Sequence, residues 1–363
     1  MIRKIVLTGG PCAGKTTAMQ SIVEEFEEKG FNVYVVPEAA TLLINMGIKP
    51  FGRNALSNID FQKKIFDISL KLEKMAMETA RNSEKDSIIL YDRGLIDSKA
   101  YLNEKDWKKI INYYNFKDSS LFNKYDLVIH LRTVAYDKEE LYTLSNNTAR
   151  TETATEAKLL DMNTLHSWIG HPNLKILGND VSFEEKINNA INEIYYVTGK
   201  PFPIQRQRKY LVSDVDTEEM FKNTNGTTLH IEQYITQNDN DDELIFRKTI
   251  KDQDESYKII IKKDTELNDE RITTQRPISK KEYYDNYPVD MAPLSKLRYC
   301  FEYKNNYFKL DTFDDGYKIL EIEETNRSKK IDIPPFITVD RDISDNKEYR
   351  NSNIYKLKNK IDQ

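Results

Sequence analysis

The chain has 363 residues, 39% of them hydrophobic and 31% charged, enough for more than one packed core, so two domains are expected. Its net charge of −5 divides as −1 over residues 1–200 and −4 beyond; neither half is basic, and no nucleic-acid partner is expected. Two cysteines, Cys12 and Cys300, exclude a disulfide framework and fit a cytoplasmic location. No apolar run reaches the ~18 residues of a membrane span, which leaves room for peripheral membrane contact only.

The first strand, around Ile5-Val6-Leu7, leads into Gly9-Gly10-Pro11-Cys12-Ala13-Gly14-Lys15-Thr16-Thr17, and Met19, Ile22, Val23 and Phe26 then recur at helical spacing. The loop fits G-x-x-x-x-G-K-[ST] in full, in the strand–loop–helix setting the motif requires. Its glycines let backbone N–H groups curl toward phosphate oxygens at a helix N-terminus. Lys15 reaches the β- and γ-phosphates, and the Thr16 hydroxyl is placed to ligate Mg²⁺. The expected ligand is a nucleoside triphosphate, ATP or GTP, with Mg²⁺. Cys12 reads as a small filler of the loop.

A second strand over Asn32–Val36 ends at Pro37-Glu38. Glu38 sits where open α/β sheets bind ligands, and either orients Mg²⁺, deprotonates an acceptor, or caps the next helix. Residues 60–81 read as a helix with Phe61, Ile65, Ile68 and Leu72 on one core face. Strand Ser87–Tyr91 delivers Asp92-Arg93-Gly94: Asp92 for the metal's water shell, Arg93 for a phosphate or the acceptor. Another strand covers Tyr125–Leu131. The N-K-x-D string Asn123–Asp126 precedes that strand, at the wrong edge for reading guanine, and His130 reads as a core histidine. The polar stretch from Asp137 to Trp168 has the character of a lid, with Arg150 as candidate for the transferred phosphate. Strand Leu174–Leu177 is followed by Asn179, a candidate for the base, then by helix Phe183–Val197. The domain boundaries expected are 1–198 and 205–363, with 199–204 as linker.

Gly9–Thr17, Val36-Pro37-Glu38 and Asp92-Arg93-Gly94, in that order, resemble the P-loop ATPase-like family related to ribosylnicotinamide and other nucleoside-type kinases. The resemblance covers about the first two hundred residues. It implies an α/β domain, a parallel sheet flanked by helices, with Lys15, Glu38, Asp92, Arg93 and Arg150 as catalytic residues.

Beyond the linker the pattern alternates, at Gln205–Val212, Thr228–Ile235, Glu243–Thr249, Tyr257–Lys263, Glu270–Arg276, Leu297–Tyr303, Tyr307–Thr312 and Tyr317–Glu323. Short antiparallel strands at this rhythm predict a barrel or sandwich. Many are polar on both faces, which a hollow barrel binding a polyanion explains.

These runs resemble the CYTH-like triphosphate tunnel family from about Gln205 to Asn351. Its E-x-E-x-K entry motif aligns with Gln205 through Lys209, its basic strands with Arg247, Lys262, Arg276 and Arg298, and its late acids with Asp311, Glu321 and Glu323. The resemblance implies a tunnel for a phosphorylated ligand, with Glu321 and Glu323 at a metal. Gln205 and Gln207 replace two glutamates of that pattern, so the unit is expected to bind such a ligand better than it hydrolyses one. The order of the two domains resembles the TRPL translocation-defect protein family, GTP-binding and phosphatidic-acid-binding trafficking factors. Two functions follow. One is a kinase- or NTPase-like enzyme whose tunnel takes a triphosphate or phospholipid headgroup. The other is a non-catalytic, nucleotide-gated binder in trafficking or regulation.

Overall fold

A computed structural model describes residues 1–136, 153–199, 207–238, 240–264, 271–288, 290–323 and 331–360. The chain divides into two compact units, Met1–Ile194 and Tyr195–Gln363.

The first unit alternates strands and helices: β1 (Ile2–Thr8), α1 (Lys15–Glu28), β2 (Asn32–Val36), α2 (Ala39–Asn45), α3 (Asn58–Arg81), β3 (Ser87–Asp92), a 3-10 helix (Leu95–Tyr101), α4 (Glu104–Tyr113), α5 (Asp118–Phe122), β4 (Leu127–Leu131), α6 (Ala154–Trp168), β5 (Leu174–Leu177) and α7 (Phe183–Thr198). The five strands are parallel, in the order β2-β3-β1-β4-β5. Ile5, Val6 and Leu7, Ile88 to Leu90, and Val128 and Ile129 are buried on both faces, as strands covered by helices on either side must be. α3 begins at Ser57, whose hydroxyl accepts from the Asp60 amide. Sequence order reverses at β1, and the C-terminal end of that strand is where such sheets place ligands. Asn123–Asp126 lies at the opposite end of β4, where Lys124 pairs with Glu73 at 2.7 Å and Asp126 accepts from the Lys4 amide at 2.8 Å.

The second unit comprises β6 (Gln207–Val215), α8 (Thr217–Asn223), β7 (Thr227–Gln237), β8 (Glu243–Lys251), β9 (Asp254–Asp264), β10 (Arg271–Pro277), α9 (Lys280–Asp285), β11 (Leu294–Tyr303), β12 (Asn306–Phe313), β13 (Lys318–Glu323), β14 (Ile337–Asp342) and α10 (Asn351–Lys358). They form one antiparallel sheet of nine strands, β10-β9-β8-β7-β11-β12-β13-β6-β14. Tight turns set the register. Asp252-Gln253 and Lys304-Asn305 all have φ between 47° and 72°, the left-handed pairs that join right-twisted hairpins.

One sheet face is apolar: Tyr299, Phe301, Phe308, Leu310, Leu320 and Ile322 pack with Met220 of α8 and Phe336, while Tyr234, Phe246, Tyr257 and Ile259 pack with Tyr283 of α9. The other face is charged, because Lys209, Glu321, Lys309, Cys300, Arg298 and Asp311 share it through the ladder register. That face is concave. β9 and β6 lie six ladder steps apart, about 29 Å in a flat sheet at ~4.8 Å a step, yet Lys209 on β6 acts electrostatically on Lys262 of β9. At one end the hollow is stopped by Leu294, Phe313 and Ile319, packed with Ile343, Tyr349 and Tyr355 of the C-terminal segment.

Candidate functional site

β1 feeds the phosphate loop directly into α1. Gly14 stands at the helix N-cap with φ 84°, and a Cβ there would lie 2.3 Å from the Phe183 ring, so only glycine fits. The Lys15 ammonium donates to the Gly9 and Gly10 carbonyls, both at 3.0 Å. Burial brings its pKa down to about 8, with the Arg93 charge acting in the same direction.

Asp92 ends β3 beside this loop. Burial raises its carboxyl above the ordinary range, and its Oδ1 is buried without a hydrogen-bond partner. Arg93 follows with φ 71°, a conformation a non-glycine residue adopts at a cost of about 1–3 kcal/mol. Its Nε donates to Glu38 Oε1 at 2.7 Å, and its Nη1, 3.6 Å from Asp97 Oδ1, is buried without a hydrogen bond. Glu38 occupies the N-cap position of α2 but caps nothing; its other oxygen accepts from the Thr41 hydroxyl at 2.7 Å. Burial opposes its ionisation, but Arg93 and Lys15 outweigh burial and lower its pKa, leaving a carboxylate.

These groups share a cavity of about 680 Å³ with Cys12 to Thr17. Such a volume falls within the range of small-molecule sites, about 300–1,000 Å³. The cavity runs on past Thr41, Phe61, Gln62, Ile65 and Tyr101, and the Gln62 side-chain oxygen is buried there without a partner. Thus the structure brings together the loop, Lys15, Thr16, Thr17, Glu38, Asp92 and Arg93.

One other sequence candidate is placed differently. Asn179, expected at the base, has both ends of its amide engaged: Nδ2 donates to the Thr133 carbonyl at 2.9 Å and Oδ1 accepts from Lys186 at 2.8 Å. It braces the turn after β4 and does not line the cavity. Arg150 lies outside the described residues. Sequence reading missed Asp97, whose Oδ2 accepts from the Gly94 amide at 2.7 Å and whose Oδ1 accepts from the Thr8 hydroxyl. The only sequence signal was its spacing four residues after Arg93.

In the second unit, Lys209, Arg247, Lys262 and Arg298 fall on the concave face. Arg276 does not. Its neighbours Gln275 and Pro277 share the face of Lys258, which turns Arg276 outward, 59% exposed and paired with Glu282 at 2.6 Å. Period-two alternation decides this, and a one-residue difference in register reverses it. The same alternation adds Lys258, Lys296 and Lys309, all buried, and Arg271.

Three acids of this face are held by its own cations. Asp311 accepts from Lys296 at 2.5 Å and from Arg298 at 2.6 and 2.7 Å; Glu321, an expected metal ligand, accepts from Arg298 at 2.8 Å and lies 3.3 Å from Lys209. Glu243 pairs with Arg271 at 2.8 Å. Among the described residues no three His, Cys, Asp or Glu side chains gather as a metal site; the Glu323 side chain and Gln205 lie outside them. Burial pulls the Lys262 pKa down to about 7, Glu243 opposing and the charges of Lys209, Arg271 and Arg247 adding. Burial and Arg298 likewise bring Arg247 to about 10.

Fold and site together define a nucleotide-binding P-loop domain of AAA type, followed by a separate nine-stranded antiparallel unit. Residues 4–186, half of the chain, match the model of the AAA domain family, and the chain belongs to that family. No curated protein matches it. Among solved structures it is similar to the inorganic triphosphatase NE1496 (16% identity, TM-score 0.30, covering 42% of this chain and 95% of that one). It is also similar to the hypothetical protein NE1496 (17%, 0.30, 42% and 97%) and to the PH1819 protein from Pyrococcus horikoshii OT3 (16%, 0.28, 34% and 80%). No described helix is long and apolar enough to cross a membrane.

Proposed function

We propose that the first unit is a kinase-like phosphotransferase or NTPase that uses ATP or GTP with Mg²⁺. The observation carrying this reading is the pair of unsatisfied buried groups, Asp92 Oδ1 and Arg93 Nη1, in one cavity with Lys15 and Glu38. A buried polar atom without a partner costs about 1–3 kcal/mol, a cost that a ligand offsets. Asp92 and Thr16 fit Mg²⁺, the first through its free oxygen and the second through its hydroxyl beside the phosphates. When bound, that ion neutralises charge on the β- and γ-phosphates. Lys15 leaves its two carbonyls for phosphate oxygens. Glu38, ionised and held by Arg93 and Thr41, accepts the proton of an acceptor hydroxyl or of water. Arg93 meets the charge that develops on the transferred group, and Arg150, by sequence alone, is the second candidate for that role. The test is turnover of ATP or GTP with Mg²⁺ over a panel of hydroxyl acceptors. Lys15→Ala and Asp92→Ala should abolish it, and Glu38→Gln should lower kcat about 10²–10⁴-fold while nucleotide still binds. Tight nucleotide binding without turnover on any acceptor would refute the enzyme.

The concave face of the second unit favours a companion role, the binding of a triphosphate or phospholipid headgroup. Among the described residues its carboxylates Asp311, Glu321 and Glu243 are paired with cations and no metal-binding group of acids gathers, which favours attraction of an anion over hydrolysis by a metal. The resemblance to trafficking factors fits this role, with nucleotide as the gate. If so, tripolyphosphate or phosphatidic acid must change nucleotide affinity by the same factor that nucleotide changes theirs.

A further inference from the structure

α6 reaches both sides of the phosphate-binding end. From its middle, fully buried Asp161 turns its carboxylate onto the phosphate loop. Oδ1 accepts from the Gly10 amide at 2.7 Å and the Thr133 amide at 3.3 Å, with His130 Nε2 3.2 Å away; Oδ2 accepts from Arg132 Nη1 at 3.0 Å. The contact is close, since a Cβ on Gly10 would lie 2.7 Å from the Asp161 Cβ. Two turns on, Trp168 covers the Asp92-Arg93-Gly94 turn, and a Cβ on Gly94 would lie 2.9 Å from its ring.

A buried carboxylate beside a phosphate site repels the ligand unless it is neutralised locally. Arg132 supplies that neutralisation. The backbone bonds leave Gly10 with its N–H committed to α6, so the loop cannot rotate that peptide inward. Thr133, the other amide Asp161 holds, also donates its hydroxyl to the Pro11 carbonyl, fixing the loop one residue further on.

We propose that Asp161 is a positioning residue of the nucleotide site, fixing the phosphate loop at Gly10 from α6 without touching the nucleotide. This rests on the phosphate-loop reading of Gly9–Thr17. Removing a charged hydrogen-bond acceptor should weaken nucleotide affinity about ten- to hundredfold.

The sequence offers a direct probe, because Gly-Gly occurs once, at Gly9-Gly10. Full-length protein labelled with ¹³C-carbonyl, ¹⁵N-glycine gives a single carbonyl–amide correlation within a glycine pair, that of Gly10. In the wild type this amide should resonate downfield and exchange slowly with solvent. In Asp161→Ala it should move upfield, and the affinity for a fluorescent ATP analogue should fall by the stated factor in protein that still melts cooperatively. A folded Asp161→Ala with wild-type affinity would overturn the proposal, as would rapid exchange of Gly10 in the wild type. Should Asp161→Ala not fold, Gly10→Ala pushes the two apart from the loop side, and undiminished ATP affinity there would equally refute it. Lys15→Ala separates the two levels: if wild type and Lys15→Ala bind ATP equally poorly, the phosphate-loop reading fails and Asp161 with it.

Discussion

Lys262 shows what a single side chain in the concave sheet can do. Its pKa of about 7 lies far below the ~10.4 of a free lysine, so the unfolded chain holds a proton that the folded chain releases between those values. Stability therefore rises with pH through that window. Ligand binding runs the other way. A phosphate group beside Lys262 favours the ammonium, so binding above pH 7 takes up a proton and affinity falls as pH rises, by up to about tenfold per unit. Calorimetric titration of tripolyphosphate between pH 6 and 9 checks this against Lys262→Met, in which that part of the slope should vanish. Wild type and variant with superimposable slopes would remove Lys262 from the site. Lys262 and Arg276 were both named by the resemblance to the tunnel family; Arg276 was misplaced because the register of its strand was not legible in the sequence. Asp161 was invisible for a different reason: nothing in a helical pattern tells which polar residue on a core-facing helix meets a loop 151 residues away.

At the scale of elements, β11 and β12 are locked by Asp311, which is 1% exposed and bonded to both Lys296 and Arg298. Breaking a buried ion pair from one side leaves its partner charges uncompensated and costs about 3–5 kcal/mol. Asp311→Ala should therefore lower the denaturation free energy of the second unit by that amount in a denaturant titration. A loss below about 1 kcal/mol, the size of a surface pair, would show that water already reaches the triad. The pH sense agrees: burial opposes ionisation, but Arg298 and Lys296 outweigh it and lower the Asp311 pKa, so its contribution holds above the free carboxyl value and is lost as acid protonates it. Most strands of both sheets were readable from their periodicity. β14 and the short helices α8, α9 and α10 were not, since six to eight residues hold too few repeats to separate a helix from a loop.

Taken whole, the molecule carries, on the proposed reading, two anion-binding centres, one in each unit, with different physics. The first relies on backbone amides and a lysine held by carbonyls, the second on side-chain cations of a curved sheet. A thermal-shift experiment on the full chain should respond to both ligands. At one hundred times its Kd, each ligand adds about 2.7 kcal/mol to the state that binds it. Lys15→Ala should erase the shift given by ATP and leave that given by tripolyphosphate. Loss of both shifts together would mean that the two ligands share a single centre.

The surplus of cations over carboxylates on the concave face also bears on how the protein is handled. Among the described residues, Lys209, Lys258, Lys262, Lys296 and Lys309, with Arg247, Arg271 and Arg298, outnumber Glu243, Asp264, Glu302, Asp311 and Glu321, and several are sheltered from bulk salt. On the proposed reading, a hollow so charged, lifted from a cell rich in phosphorylated metabolites, should come off a column partly filled. Preparations should therefore differ in apparent titration stoichiometry until the cargo is stripped by unfolding and refolding. The discarded supernatant, examined by phosphorus resonance, would then name the ligand with no guess made in advance.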